Sequence, residues 1–366
     1  MKKSLLILLF TCWALFFAAF RPVMPFAAET AAFPDGTPVT GGRILMGTIG
    51  EPSNLIPYMA SDSASGEITG LLYVAPLKYD KDLNVVPWAA ASYEVLEGGR
   101  LLRFVLRDDI RWEDGVPLTA DDVEFTYKLM IDPKTPTAYS GDFLAIESFK
   151  KTGRLSFEVR YAKPFARSLM TWMGAILPKH VLEGQDIMTT PVARKPIGAG
   201  PYRLAKWDAG SMLTLTASDT YFEGRPNLDE VVYRIIPDPS TMFLELKAGK
   251  LDMMSLSPQQ YLRQTQGPQW ERDWRKYRYL SFSYTFLGFN LEHPFFKDVR
   301  VRRAISMAID RQSLIDGVLL GQGVPTVGPY KPGTWAYNDK LTPVRQDVDE
   351  ARRLLDEAGW KKDKDG

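Results

Sequence analysis

The sequence contains one cysteine, Cys12, and it lies inside an almost unbroken apolar run from Leu5 to Phe20. Lys2 and Lys3 precede the run, Arg21 and Pro22 end it, and small residues follow at Ala27 and Ala28, the pattern of a secretory signal peptide (residues 1–28) cleaved near Ala28. The alternative is an uncleaved anchor, since the run is long for a signal peptide yet shorter than the roughly 18 residues of a spanning helix. A lipid-modified Cys12 would leave the still apolar stretch Trp13 to Phe20 at the head of the mature chain, which argues against a lipoprotein. Everything after the run lacks cysteine. An exported chain of this kind has no disulfides to rely on and must fold by burying apolar surface.

There is enough chain to do so. At 366 residues the sequence exceeds one ordinary core and divides most naturally into two or three domains. The 45% hydrophobic and 24% charged content is that of a globular protein and excludes a disordered tail, a collagen-like fibre and a multi-span membrane protein. The 45 basic and 44 acidic residues nearly cancel; without Lys2, Lys3 and Arg21 the basic count falls to 42 and the net charge becomes −2. That balance offers no electrostatic footprint for nucleic acid or for an anionic membrane surface.

Along the chain, residues 29–40 are small, polar and proline-bearing and read as a flexible lead-in, with folded structure beginning at Gly41. Arg43 to Ile49 reads as a strand running into the turn-rich loop Gly50 to Pro57. Leu101 to Arg107 is a strand, Asp114-Gly115 a tight turn, and Thr119 with Asp122 a capping box opening a helix that Asp132-Pro133 ends. The prolines and glycines Pro191, Pro196, Gly198, Gly200 and Pro201 mark a connector between lobes. Strands are expected at Leu213 to Thr216, Glu230 to Ile236 and Leu280 to Asn290, with a helix from Ser240, its cap, to Ala248, stopped at Gly249. From Asp298 a helix buries Val301, Ala304, Ile305, Ala308 and Ile309 and turns Arg300, Arg302 and Arg303 outward, either as a basic patch or as an ordinary solvated face. Asp347 to Ala358 reads as a further helix with Gly359 at its C-terminus. Strands alternating with helices define an α/β class.

The chemistry of common enzymes is missing. His180 and His293 are the only histidines and lie outside any metal-ligand spacing; no nucleophile elbow, P-loop or dinucleotide fingerprint occurs. The pairs Asp108/Asp109, Glu113/Asp114 and Asp121/Asp122 could in principle serve a glycosidase, but they sit at a strand end, in a turn and in a first helical turn, where structural roles account for them. No catalytic residue, metal site or cofactor is expected.

Four blocks then carry a resemblance. RDDIRWEDGVPLTADDVEFTYKLM (Arg107 to Met130), GEPSNLIP (Gly50 to Pro57), PIGAGPYRLAKW (Pro196 to Trp207) with YFEGRPNLDEVVYRIIPD (Tyr221 to Asp238), and the run from Leu287 to Gly323 resemble, in order and spacing, the family 5 extracellular solute-binding proteins, the peptide and nickel receptors of ABC importers. The likeness covers Gly41 to Trp360; Glu113 departs from it, where many relatives have histidine in a W-H-D-G turn. The resemblance implies a type II periplasmic binding protein fold, bilobed with an extra inserted lobe: lobe I at 41–74 and 179–282, lobe II at 75–178, and a third lobe from 283 to 366 that is incomplete. It also implies that the family continues beyond this point, so that the chain reads as an N-terminal portion that binds ligand poorly alone and acts as a monomer when complete. In the implied site, Glu51 and Ser53 of the loop after the first strand and Ser283, Tyr284 and Phe286 of the strand entering the third lobe border the ligand. Glu51 has a second reading, as a carboxylate capping backbone amides, and strand alternation leaves core packing as the second reading for the aromatic pair.

The function so implied is a periplasmic receptor that captures peptides and delivers them to the permease subunits of an inner-membrane ABC transporter, with a nickel complex or an oligosaccharide as variant ligands. The alternative of another class is a secreted hydrolase using two carboxylates.

Overall fold

The structure, a computed structural model, describes residues 38–361. The apolar run, Cys12 and the expected cleavage region lie outside the described residues. Within them the chain forms two compact units, one ending at Ser255 and one beginning at Leu256.

In the first unit, apolar residues at every second position create the strands β1 (Arg43–Thr48), β2 (Leu77–Tyr79), β3 (Val85–Pro87), β4 (Ala90–Leu96), β5 (Leu101–Leu106), β6 (Ile146–Lys151), β7 (Ser156–Tyr161), β8 (Tyr202–Asp208), β9 (Met212–Ala217) and β10 (Glu230–Ile235). On β9, Leu213, Leu215 and Ala217 are buried while their neighbours are half-exposed; on β7, Phe157, Val159 and Tyr161 follow the same rule. Two four-stranded sheets result, in the orders β1-β10-β9-β8 and β4-β5-β7-β6, with β2 and β3 as a separate pair. β1 lies parallel to β10, with Arg43 opposite Glu230 and Thr48 opposite Ile235, so the first sheet joins chain segments nearly the whole unit apart. Every other pairing in the two larger sheets is antiparallel.

The second sheet is held by stacked aromatic rings. Phe104 and Phe157 stack at 4.8 Å and Phe149 and Phe157 at 5.2 Å, with Trp172 tilted over all three. Phe104 and Phe157 are fully buried, each contributing roughly 1.5–3 kcal/mol from burial. The turn that follows β5 is closed as the sequence requires: Gly115 takes φ +88°, its N–H donates to the Trp112 carbonyl at 2.8 Å, and Arg111 bridges Pro117.

The helix Ala120–Ile131 has the expected capping box, the Thr119 side chain accepting from the helix backbone and the Asp122 carboxylate accepting from the Thr119 N–H at 2.8 Å. Replacing Thr119 by Ala should therefore lower the stability of this unit by about 1 kcal/mol, read from the midpoint of urea unfolding with an unchanged slope. One expected cap is corrected: the helix Pro239–Lys247 is capped by Asp238, whose Oδ1 accepts from Thr241 N at 2.7 Å, and not by Ser240. Proline is tolerated at the first helical position, so the helix starts one residue earlier.

The regular elements of the second unit are all helices among the described residues. Val299–Ala308, capped by Asp298, packs antiparallel to Val348–Glu357, capped by Asp347, around Ala304, Ala351 and Leu354. Arg300 donates to the Glu357 carbonyl at 2.6 Å at one end, and Asp347 N to the Met307 carbonyl at 2.9 Å at the other. Ala308, expected to be buried, is exposed, and Ile305 and Ile309 are half-buried, because the two-helix contact covers only the stripe through Val301 and Ala304. The strand expected from Leu280 to Asn290 does not form; the segment joins no ladder with the described residues. Apolar alternation supplies a strand's faces, whereas its backbone needs a neighbouring strand to pair with.

Candidate functional site

The loop after β1 is built from short-range hydrogen bonds on a buried anchor. Leu55 and Ile56 are fully buried, Asn54 Oδ1 accepts from Ile56 N at 2.8 Å, and Leu55 N donates to the Ala193 carbonyl at 3.0 Å. Ser53 donates through its hydroxyl to Asp62 Oδ2 at 2.6 Å and through its N–H to Ser65 Oγ at 3.0 Å. Asp62 is also the N-cap of the helix Ser63–Leu72, accepting from Ser65 N at 2.8 Å. Burial acts to raise the Asp62 pKa, but the bonds from Ser53 and Ser65 outweigh it and hold the carboxyl below its ordinary value.

Glu51 reaches across to the first sheet. Its Oε1 accepts from Trp207 Nε1 at 2.7 Å and its Oε2 from Gly210 N at 3.1 Å, so the carboxylate does hold a backbone amide, though one remote in sequence. The Arg194 guanidinium lies 4.0 Å over the Trp207 ring and 3.7 Å from Glu51 Oε1. Three segments thus meet at one carboxylate: the loop after β1, the proline-rich connector and the turn between β8 and β9.

The other expected site residues lie in the second unit. The Ser281 and Ser283 hydroxyls are 2.6 Å apart, and the rings of Tyr284 and Phe286 meet at 5.4 Å, both largely exposed.

The connector has a role that turn chemistry alone does not convey. Gly200 N donates to the Leu72 carbonyl at 2.9 Å, and Glu113 N donates to the Gly198 carbonyl at 2.9 Å. A Cβ on Gly198 would stand 2.0 Å from the Leu72 oxygen and one on Gly200 2.5 Å from the Leu71 oxygen. Beside this contact, His180 Nε2 lies 2.7 Å from Asp114 Oδ2. Burial pushes the Glu113 carboxyl up to about 7, with Asp114 adding to the rise and the Gly198 contact and Arg203 opposing it.

The remaining carboxylate pairs are engaged structurally. Asp109 pairs with Arg107, Asp121 with Lys151, and Asp122 accepts from Lys179 N at 2.9 Å besides its capping role. His293 caps the short helix Pro294–Lys297. Arg302 donates to the Phe296 and Lys297 carbonyls, and Arg300 to Asp298, so these two arginines of the outer helix face bind their own unit. Among the described residues no cluster of three or more metal-ligating side chains occurs, and no helix is long and apolar enough to cross a membrane.

Sequence reasoning missed Trp207, Arg194 and Asp62 as the supports of the loop. Trp207 closes one of the recognised blocks, which marked the segment without marking the side chain. It missed also a second polar junction, in which Trp88 Nε1 donates to Tyr221 at 2.9 Å, Tyr221 donates to Glu223 at 2.6 Å, and Lys78 pairs with Glu223 at 2.7 Å.

Comparison with known proteins gives this mixed α/β unit its class. Residues 84–366 match the bacterial extracellular solute-binding proteins, family 5 Middle, and the chain belongs to that family. The oligopeptide-binding protein AppA of Bacillus subtilis is 32% identical over 334 residues, which are 89% of this chain and 61% of that protein. The structure of AppA from Bacillus subtilis in complex with a nonapeptide superimposes with a TM-score of 0.81 at 31% identity, covering 90% of this chain and 66% of that one. NikZ from Campylobacter jejuni in complex with Ni(L-His) gives a TM-score of 0.78 at 27% identity, covering 88% of this chain and 64% of that one. The fold is therefore the periplasmic binding protein fold, and the chain spans somewhat under two thirds of these relatives.

Proposed function

We propose that the protein captures peptides on the outer side of the inner membrane and delivers them to the permease subunits of an ABC importer. The observation that carries this reading is the likeness, across 90% of the chain, to a receptor solved with a nonapeptide. Its expected location is the periplasm, reached through the signal peptide. In this reading the sheet containing β1 and β8–β10 belongs to lobe I (41–74 and 179–282), the sheet of β4–β7 to the inserted lobe II (75–178), and the residues from 283 onward to lobe III. The proposed ligand contacts are Ser53, Ser283, Tyr284 and Phe286, with Glu51 at the border.

A second reading, a nickel complex, is favoured by the likeness to NikZ, solved with nickel and histidine. An organic chelator would then supply the ligands that a chain with two histidines lacks. Catalysis by paired carboxylates has less support, because Asp109, Asp121 and Asp122 are committed to ion pairs and caps.

Short peptides should stabilise the complete protein, whereas free nucleotides and nucleic acid should not. A ligand at 100 times its dissociation constant adds roughly 2.7 kcal/mol, enough for a clear rise in melting temperature. A peptide library that leaves the melting temperature unchanged, beside a nickel–histidine complex that raises it, overturns the peptide reading in favour of the second.

A further inference from the structure

We propose that Arg194 is a receptor for a ligand carboxylate, held in position by Trp207 and Glu51; the inference rests on the reading of the protein as a peptide receptor and names one chemical group that it recognises. A guanidinium carries five N–H donors in a planar fork that matches a carboxylate. Those of Arg194 make no hydrogen bond to any described residue. Its ion pair with Glu51 spans 3.7 Å from Nη1 to Oε1, outside hydrogen-bonding distance.

The group is nevertheless fixed. The Trp207 ring supports one face at 4.0 Å, and the charge of Glu51 lies alongside. Stacking limits the rotamers that binding would otherwise have to freeze, which is how preorganisation raises affinity. Glu51 does not itself consume the donors, because its two oxygens are already taken by Trp207 Nε1 at 2.7 Å and Gly210 N at 3.1 Å. Lys206, next to Trp207 in the chain, is paired to Asp208 at 2.7 Å. The Arg194 side chain is 54% exposed, so the open edge of the fork is available to solute. On a peptide, a carboxylate comes either from the C-terminus or from an acidic side chain.

The test uses the complete protein and three versions of one peptide: the free acid, its C-terminal amide, and the amide carrying an internal glutamate. Calorimetry gives each affinity, and modification by phenylglyoxal, mapped by mass spectrometry, reports access to Arg194. The expected result is that the form whose carboxylate is recognised binds at least tenfold more tightly than the neutral amide and slows modification of Arg194 at least fivefold. Arg194→Gln should remove that tenfold preference, bringing the three forms to within about twofold of one another, and Arg194→Lys, which keeps the charge without the fork, should restore only part of it. A preference for the free acid assigns the C-terminus, and a preference for the glutamate form assigns a side chain. Equal binding of all three forms with Arg194 unprotected overturns the proposal and leaves the peptide reading standing, as does an Arg194→Gln loss that is the same for all three. Failure of every form to bind overturns both.

Discussion

Gly198→Ala should be among the most damaging single substitutions in the first unit, lowering stability by about 3 kcal/mol and the melting temperature by roughly 6–12 °C. The added Cβ would meet the Leu72 oxygen at 2.0 Å and its carbonyl carbon at 2.9 Å, both backbone atoms that no rotamer change can move aside. Relief requires the connector to part from the end of the helix Ser63–Leu72. That movement would strain the neighbouring bonds from Gly200 N to Leu72 and from Glu113 N to Gly198. Gly66→Ala, within the same helix and with nothing near the new methyl, should instead be stabilising by a few tenths to about 1 kcal/mol. The check is a pair of thermal melts. If both variants move the melting temperature in the same direction, close approach is not what the connector glycine provides.

Glu113→Gln should make the protein more stable above neutral pH and nearly unchanged near pH 4. The carboxyl's pKa moves from the usual 4.5 to about 7 because partial burial disfavours the charged form. Between those values the folded chain holds a proton that the unfolded chain has released. Stability therefore falls as pH rises through this window, and the full penalty is present above about 7. Allowing for solvent screening at a group that is only half-buried, the penalty is roughly 1–2 kcal/mol. Unfolding in urea at pH 4, 6 and 8 measures it. A stability difference between the wild type and Glu113→Gln that does not change with pH would show that the carboxyl ionises as it does in the unfolded chain.

The two substitutions act on one junction, of which sequence disclosed half. The Asp114-Gly115 turn, the Thr119–Asp122 box and the helix starts at Asp298 and Asp347 were all legible, since each rests on contacts within four residues. Three of the first sheet's four strands, β1, β9 and β10, were legible, whereas β8 was not read as a strand. Partners were not: the bonds of Glu51 to Trp207 and Gly210 span more than 150 residues, and no local pattern encodes them. Gly198 and Gly200 were read as turn formers, the commoner reason for glycine, when the reason is contact with a helix end. The Leu280–Asn290 segment erred in the opposite direction, its apolar content promising a strand for which the described residues supply no partner. The blocks resembling known receptors marked segments without marking side chains such as Trp207, which supports the loop after β1.

The parallel pairing of β1 with β10 bears on how such a chain is made and moved. Arg43 waits for Glu230, 187 positions later, before its sheet can close. At ordinary synthesis rates of about 5–20 residues per second, that is a delay on the order of 10–40 seconds in which β1 has only a provisional place. Long-range pairing of this kind also slows folding, since a large loop must close before any ladder hydrogen bond is gained. Under the proposed periplasmic role, in which the chain crosses a membrane unfolded, this late pairing keeps β1 from locking into the first sheet until β10 has followed.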